Sequence, residues 1–208
     1  MRYRSNQRFA DVTVLAIIAV NVVVFIASLT RDDQLGMLGL TPNSWTSEPW
    51  TLLTSMFMHA DITHILFNML SLYFIGRFLC QLVGDKWFFV VYFAGGIIGG
   101  FFFILIHPFL HPLGKYDPVI GASGAIFAVG GALAVLVPNV KVILFPIPAP
   151  VPLWTAIIGT FLLLTLIAFV SNIAWEAHLG GLLLGLAVGY YLRRRQRGVS
   201  LWQRGFLR

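Results

Sequence analysis

Residues 87–106 read WFFVVYFAGGIIGGFFFILI, an unbroken run without a charged side chain. A helix rises about 1.5 Å per residue, so a run of about 20 residues reaches about 30 Å, the depth of a bilayer's hydrocarbon core. Such a stretch is apolar all round its circumference, so it belongs in lipid or deep inside a bundle. Working outward, five more apolar stretches of comparable character appear at 12–29, 62–82, 123–137, 152–170 and 175–192. The stretch 62–82 carries Asn68 and Arg77, and 123–137 is short and opens in a glycine-rich turn. The expected fold class is all-α: a polytopic membrane protein, a six-transmembrane-helix bundle, forming a single membrane domain over 1–208.

Composition points the same way. Hydrophobic residues make up 58% of the chain and charged residues 11%, against about 25% charged in soluble domains. The length leaves no room for a separate soluble domain. The net charge of +6 would suggest nucleic acid on a soluble protein. Here the basic residues flank apolar spans, so they read as topology signals and contacts with the lipid bilayer, and no nucleic-acid partner is expected. Cys80 is the only cysteine, which excludes an intrachain disulfide. The basic segment 1–9 precedes an apolar stretch with no small-residue cleavage site, so a retained helix is expected, not a signal peptide.

Lys/Arg bias orients the spans. Arg2, Arg4, Arg8, Arg77, Lys86, Lys141 and the tail from Arg193 fall on one side of a six-span chain, with only Arg31 and Lys115 opposite, beside acidic residues that include Glu176. Both termini are therefore expected to be cytoplasmic, in a prokaryotic plasma membrane. The outer loops are then 30–61, 107–122 and 171–175. Loop 30–61 holds Leu35, Met37, Leu38, Trp45, Trp50 and Leu53, a density that suggests a structured interfacial element. The proline-rich connection 138–152 cannot form a helix interior.

Polar groups inside a bilayer are expensive, so each is a functional hypothesis. His59, His64 and Asn68 sit at the start of the second span, Ser123 at the start of the fourth and His178 at the start of the sixth. These spans share one direction, so the three sets lie near one outer plane. The glycines around Ser123 allow a tight turn that leaves unpaired N–H groups at a helix N-terminus. Gly181, Gly185 and Gly189, spaced by four, make a close-packing face beside His178. Gly124, Ala128 and Gly131 are the expected partner surface, which would bring His178 beside Ser123. A metal site from His59, His64 and His178 is the rival reading, but no carboxylate or cysteine has ligand spacing around them, and no metal or other cofactor is expected. His107 and His111 read as interfacial loop residues without a role.

The motifs resemble those of the rhomboid family. His59 and His64 with Asn68 match its pattern of His, four residues, His, three residues, Asn; Gly121-Ala122-Ser123-Gly124 matches its GxSG; Ala177-His178 followed by Gly181 and Gly185 matches its sixth-helix motif. The resemblance covers the whole chain. It implies an intramembrane serine endopeptidase that cleaves transmembrane protein substrates near the outer membrane face through a Ser-His dyad. Ser123 would be the nucleophile and His178 the base. The Ser123 N–H, His64 and Asn68 would hold the oxyanion, with His59 in support and Phe127 packed under the histidine. Trp154, Phe161, Ile173 and Trp175 would gate access. The alternative is a catalytically inactive rhomboid-like module that binds membrane proteins; a small transporter would need a discontinuous or repeated helix pair, and none appears in this sequence.

The chain departs from the family at three places. Thr51 follows Trp50 where many members carry Arg; Phe127 replaces a Tyr; Cys80 stands where many have Glu. Without the arginine the first loop lacks a multi-donor anchor, so Thr51→Arg is expected to preserve activity and raise stability modestly.

Overall fold

The computed structural model describes residues 2–30, 37–110, 118–143, 149–168 and 173–205, with side chains described between 11 and 195. Its long helices are α1 (Arg2–Ser28), α2 (Ile62–Val83), α3 (Asp85–Leu110), α4 (Ser123–Leu136), α5 (Leu153–Ala168) and α6 (Trp175–Gly205). The fold is all-α apart from a two-residue antiparallel ladder, β1 (Lys141–Val142) with β2 (Val151–Pro152), which closes the proline-rich connection. The apolar windows Asp11–Ser28, Ile62–Val83 and Asp85–Leu110 are long enough to cross a membrane; α4 and α5 are apolar but shorter.

Helix α4 is the axis. Its residues from Gly124 to Ala134 are all buried, as a helix apolar on every face must be. Its most extensive contact is with α6, then α3 packs on both. Lipid-tail solvent supplies no hydrophobic drive between helices, so close backbone approach does the work. A β-carbon at Gly181 would come 2.0 Å from the Gly124 carbonyl oxygen, one at Gly185 2.0 Å from Ala128 O, and one at Gly189 2.7 Å from Ala132 O. The α6 stripe thus seats on Gly124, Ala128 and Ala132. Gly131 lies on the α6-facing surface as expected, where a β-carbon would meet Leu182 O at 2.7 Å and Leu186 N at 3.1 Å. Helix α5 packs more loosely, with Trp154, Leu162, Leu163 and Leu166 exposed.

Several boundaries move. Helix α3 runs on to Leu110, so His107 is helical, not a loop residue; His111 lies outside the described residues. Glu176, counted among the outer-face charges, is in the first turn of α6 and only 1% exposed. Helix α6 continues through the basic tail to Gly205. Helix α2 contains a π turn at Leu72–Gly76, and this local widening precedes Arg77. That cation is neutralised at 2.6 Å by Asp11 at the start of the apolar part of α1 and donates to Tyr73 Oη at 2.6 Å, which makes its depth tolerable.

The first loop is structured, as its amphipathic residues suggested, although Leu35 lies outside the described residues. It contains a short helix Thr51–Thr54 and a 3-10 turn Ser55–Phe57. The Trp50 indole donates to Met37 O at 3.2 Å. Thr51 is 0% exposed and its hydroxyl donates to Glu48 O at 2.6 Å. That argues against the expectation for Thr51→Arg, because a guanidinium would have to be buried or displace its neighbours. Leu40 and Val119 exchange backbone hydrogen bonds at 3.1 and 2.9 Å, fastening this loop to the segment that leads into α4.

Candidate active site

Ser123 is the first residue of α4, after Ala122 and Gly121. Gly121 has φ +120°, a conformation glycine alone adopts freely. Its N–H donates to Ser55 O at 2.9 Å, so the turn is tied to the first loop. The first intrahelical bond is Ile126 N–H to Ala122 O, 2.9 Å, which leaves the Ser123 and Gly124 amides ahead of the helical ladder.

His178 lies in the first turn of α6 and is 6% exposed. The close α4–α6 approach at Gly124 and Gly181 brings Ser123 Oγ and His178 Nε2 to 2.8 Å. The Phe127 ring lies 4.8 Å from the imidazole, tilted by 34°. Position 127 is four residues after Ser123, so one helical face carries both contacts. His178 Nδ1 is buried with no hydrogen-bond partner. A neutral imidazole with its proton on Nδ1 therefore presents a lone pair on Nε2 to the serine hydroxyl.

His64 approaches from α2. Asp61 caps that helix, accepting from His64 N–H at 2.8 Å. Ala60 N–H points at His64 Nδ1 over a long 3.4 Å, which favours the tautomer with the proton on Nε2. A β-carbon at Gly121 would fall 2.7 Å from His64 Nε2 and 3.7 Å from Ser123 Oγ. The two polar atoms thus flank the same small space over Gly121, and any larger residue there would fill it. Asn68 is buried on the same face of α2, and its amide donates to His64 O at 2.9 Å. One amide hydrogen is occupied in this way, and no hydrogen bond links Asn68 to Ser123.

His59, just outside α2, is buried with neither ring nitrogen hydrogen-bonded, and its ring meets His64 edge-on at 5.0 Å. Burial, reinforced by the neighbouring His64, lowers its pKa from 6.5 to about 4. It is neutral at pH 7 and serves as a packing partner of the His64 ring. The described residues contain no group of three or more His, Cys, Asp or Glu able to hold a metal ion. Of the expected gate residues, Phe161 reaches the site indirectly, meeting Phe127 edge-on at 5.9 Å; Trp154 faces outward on α5, and Ile173 and Trp175 are half-buried ahead of His178.

Sequence reasoning missed Glu176 and His107. Glu176 Oε1 lies 2.9 Å from His107 Nδ1, two residues before His178. The signal was present: a carboxylate inside the helical period of the sixth span, beside the base. The charge pattern counts it only among the outer-face charges, because it stands at the span's edge.

Fold and site together define an integral membrane protein with several apolar helices and a partly buried serine–histidine pair between two of them. Residues 46–195 match the rhomboid domain, and the chain belongs to the rhomboid family. It is 30% identical over 216 residues to Rhomboid protein 1, mitochondrial, of Saccharomyces cerevisiae, covering 93% of this chain and 58% of that protein. It is 32% identical over 187 residues to RHOMBOID-like protein 12, mitochondrial, of Arabidopsis thaliana, covering 81% and 54%. With Rhomboid protease GluP of Bacillus subtilis it shares 33% identity over 165 residues, 75% of this chain and 29% of that protein. The chain thus spans about half the length, or less, of these relatives.

Proposed function

We propose that this chain is an intramembrane serine endopeptidase that cleaves transmembrane-helix substrates near the outer membrane face, with Ser123 as nucleophile and His178 as general base. The observation that carries this reading is the 2.8 Å contact between Ser123 Oγ and His178 Nε2, made where two helix backbones touch. As Oγ attacks the scissile carbonyl, Nε2 takes its proton; the imidazolium then gives that proton to the leaving amine, and the acyl-enzyme is released by water deprotonated by the same nitrogen. No carboxylate accepts from His178 Nδ1, so the developing positive charge is met by the face of Phe127. The oxyanion would sit over Gly121, within reach of the Ser123 N–H, His64 Nε2–H and the remaining Asn68 amide hydrogen. His59 supports the His64 ring.

In this reading the long helices form one six-span membrane domain with both termini on the basic, cytoplasmic side. Helix α4 has 14 residues, or about 21 Å of rise, against about 30 Å of hydrocarbon. If its inner end meets the inner interface, Ser123 lies below the outer surface, and water must reach it through the polar cluster. A substrate helix hides its own peptide bonds, so a segment must unwind before attack.

The test is labelling of the purified chain with a serine-directed fluorophosphonate, alongside turnover of a transmembrane substrate. Wild type should be labelled at Ser123. Ser123→Ala, His178→Ala and the double variant should share one near-background rate, because either loss disables the same unit. Wild type that is folded but never labelled would point to an inactive binding module. Ser123→Ala with wild-type turnover would refute the serine mechanism.

A further inference from the structure

We propose that the pair of buried Glu176 and half-buried His107 is a clasp that positions His178, and that Glu176 is a positioning residue for the reaction. The inference rests on the protease reading above.

Three consecutive residues of α6 divide its first turn between two neighbours. Glu176 is tied to α3 through His107, 2.9 Å from Oε1 to Nδ1. The carbonyl of Ala177 is wedged between α3 and α4: a β-carbon at Gly99 would meet it at 2.6 Å and one at Gly124 at 3.2 Å. His178 faces α4 and Ser123. Residues two apart on a helix point about 200° from each other, so the tie to α3 and the contact with Ser123 lie on opposite sides of one turn. A helix end lacks part of its own hydrogen-bond ladder and frays first. Here the fraying turn carries the proposed base, whose Nδ1 has no partner to fix the ring. The clasp restrains that turn from behind.

Its composition fits the task. An acid in the first turn of α6 and a histidine in the last turn of α3 each complement a helix dipole. The His107 ring packs against Phe103 at 4.6 Å, tilted by 32°, so the partner is itself held. Glu176 is 1% exposed, yet its Oε2 has no hydrogen-bond partner. Burying a half-satisfied carboxylate is a poor way to gain stability. Such a residue two positions from the base is better explained by what it orients.

The decisive variant is the double substitution Glu176→Leu with His107→Phe in the full chain. It removes the tie, keeps bulk on both helices and leaves no buried unpaired charge, so it should fold. We expect fluorophosphonate labelling of Ser123 and kcat on a transmembrane substrate to fall together by about 10–100-fold with KM within about twofold, the size of loss that about 1 Å of misplacement causes. Glu176→Gln keeps an acceptor for His107 Nδ1–H and should stay within about threefold of wild type. A folded double variant labelled at the wild-type rate overturns the clasp, as does a change confined to KM or to thermal stability. Glu176→Gln as impaired as the double variant overturns it too, since the hydrogen bond would then not be what matters. If wild type itself is not labelled, the protease reading falls and takes the clasp with it.

Discussion

The contact between Gly181 and Gly124 makes a demanding test of how the site is assembled. In Gly181→Ala the new β-carbon would begin 2.0 Å from the Gly124 carbonyl oxygen. Carbon and oxygen rarely approach closer than about 3.2 Å, so α6 and α4 must part locally by about 1.2 Å, and backbone on both sides leaves no rotamer to absorb it. The atom struck belongs to the residue after Ser123, and the residue altered lies one turn from His178. Most of that separation therefore enters the Oγ–Nε2 distance, taking it from 2.8 Å to about 4 Å, outside hydrogen-bond range. Misplacement of about 1 Å can cost about 100-fold in rate, and overpacking costs about 1–3 kcal/mol of stability. Gly189→Ala meets Ala132 O at 2.7 Å near the other end of the stripe; it should destabilise less and spare more activity. Gly159→Ala on α5 meets nothing within 4 Å and should be neutral or stabilising by about 0.4–1 kcal/mol. The assay is the fluorophosphonate labelling rate with thermal unfolding in the same detergent. Gly181→Ala labelled as fast as Gly159→Ala would refute the argument that backbone contact at this level sets the pair.

Asn68→Ala should lower turnover by about 10–1,000-fold with little change in KM, as for a lost oxyanion donor; unchanged turnover would leave Asn68 only its bond to His64 O. Thr51→Arg should lower the unfolding temperature measurably, because it replaces a fully buried, hydrogen-bonded hydroxyl with a charge that would have to be buried or displace its neighbours. His59 binds no proton in the fold until about pH 4, whereas unfolded it titrates near 6.5. Its contribution to stability is therefore complete above about pH 6.5 and falls as pH drops toward 4, by up to about 3 kcal/mol. His59→Leu should flatten that slope in thermal unfolding across the window, and an equally steep slope would assign it to other groups.

Much of this protein is legible in its sequence because lipid enforces simple rules. A run such as 87–106 has to be a helix, since no water is present to satisfy its backbone. The spacing of four in Gly181, Gly185 and Gly189 is a face whatever it packs against. Ser123 and His178 stood out because polar groups are rare in such runs, and the shared direction of their spans put them at one level.

Other features were set only when helices met. Gly131 faces α6 as expected, but the roll of α4 also brings in Ala132, which seats Gly189, and the periodic pattern does not single that residue out. Thr51 reads only as the place of a missing arginine, and its burial depends on how the first loop folds back over α3. The clearest case is Glu176 with His107. They are 69 residues apart, and each stands at the edge of an apolar span, where a charge ordinarily means water. The sequence alone determines that α3 and α6 are helices of lipid-compatible character. Only the packing of the end of one against the start of the other decides that this carboxylate is buried, because pairing between distant residues follows from three-dimensional proximity, which no local pattern encodes.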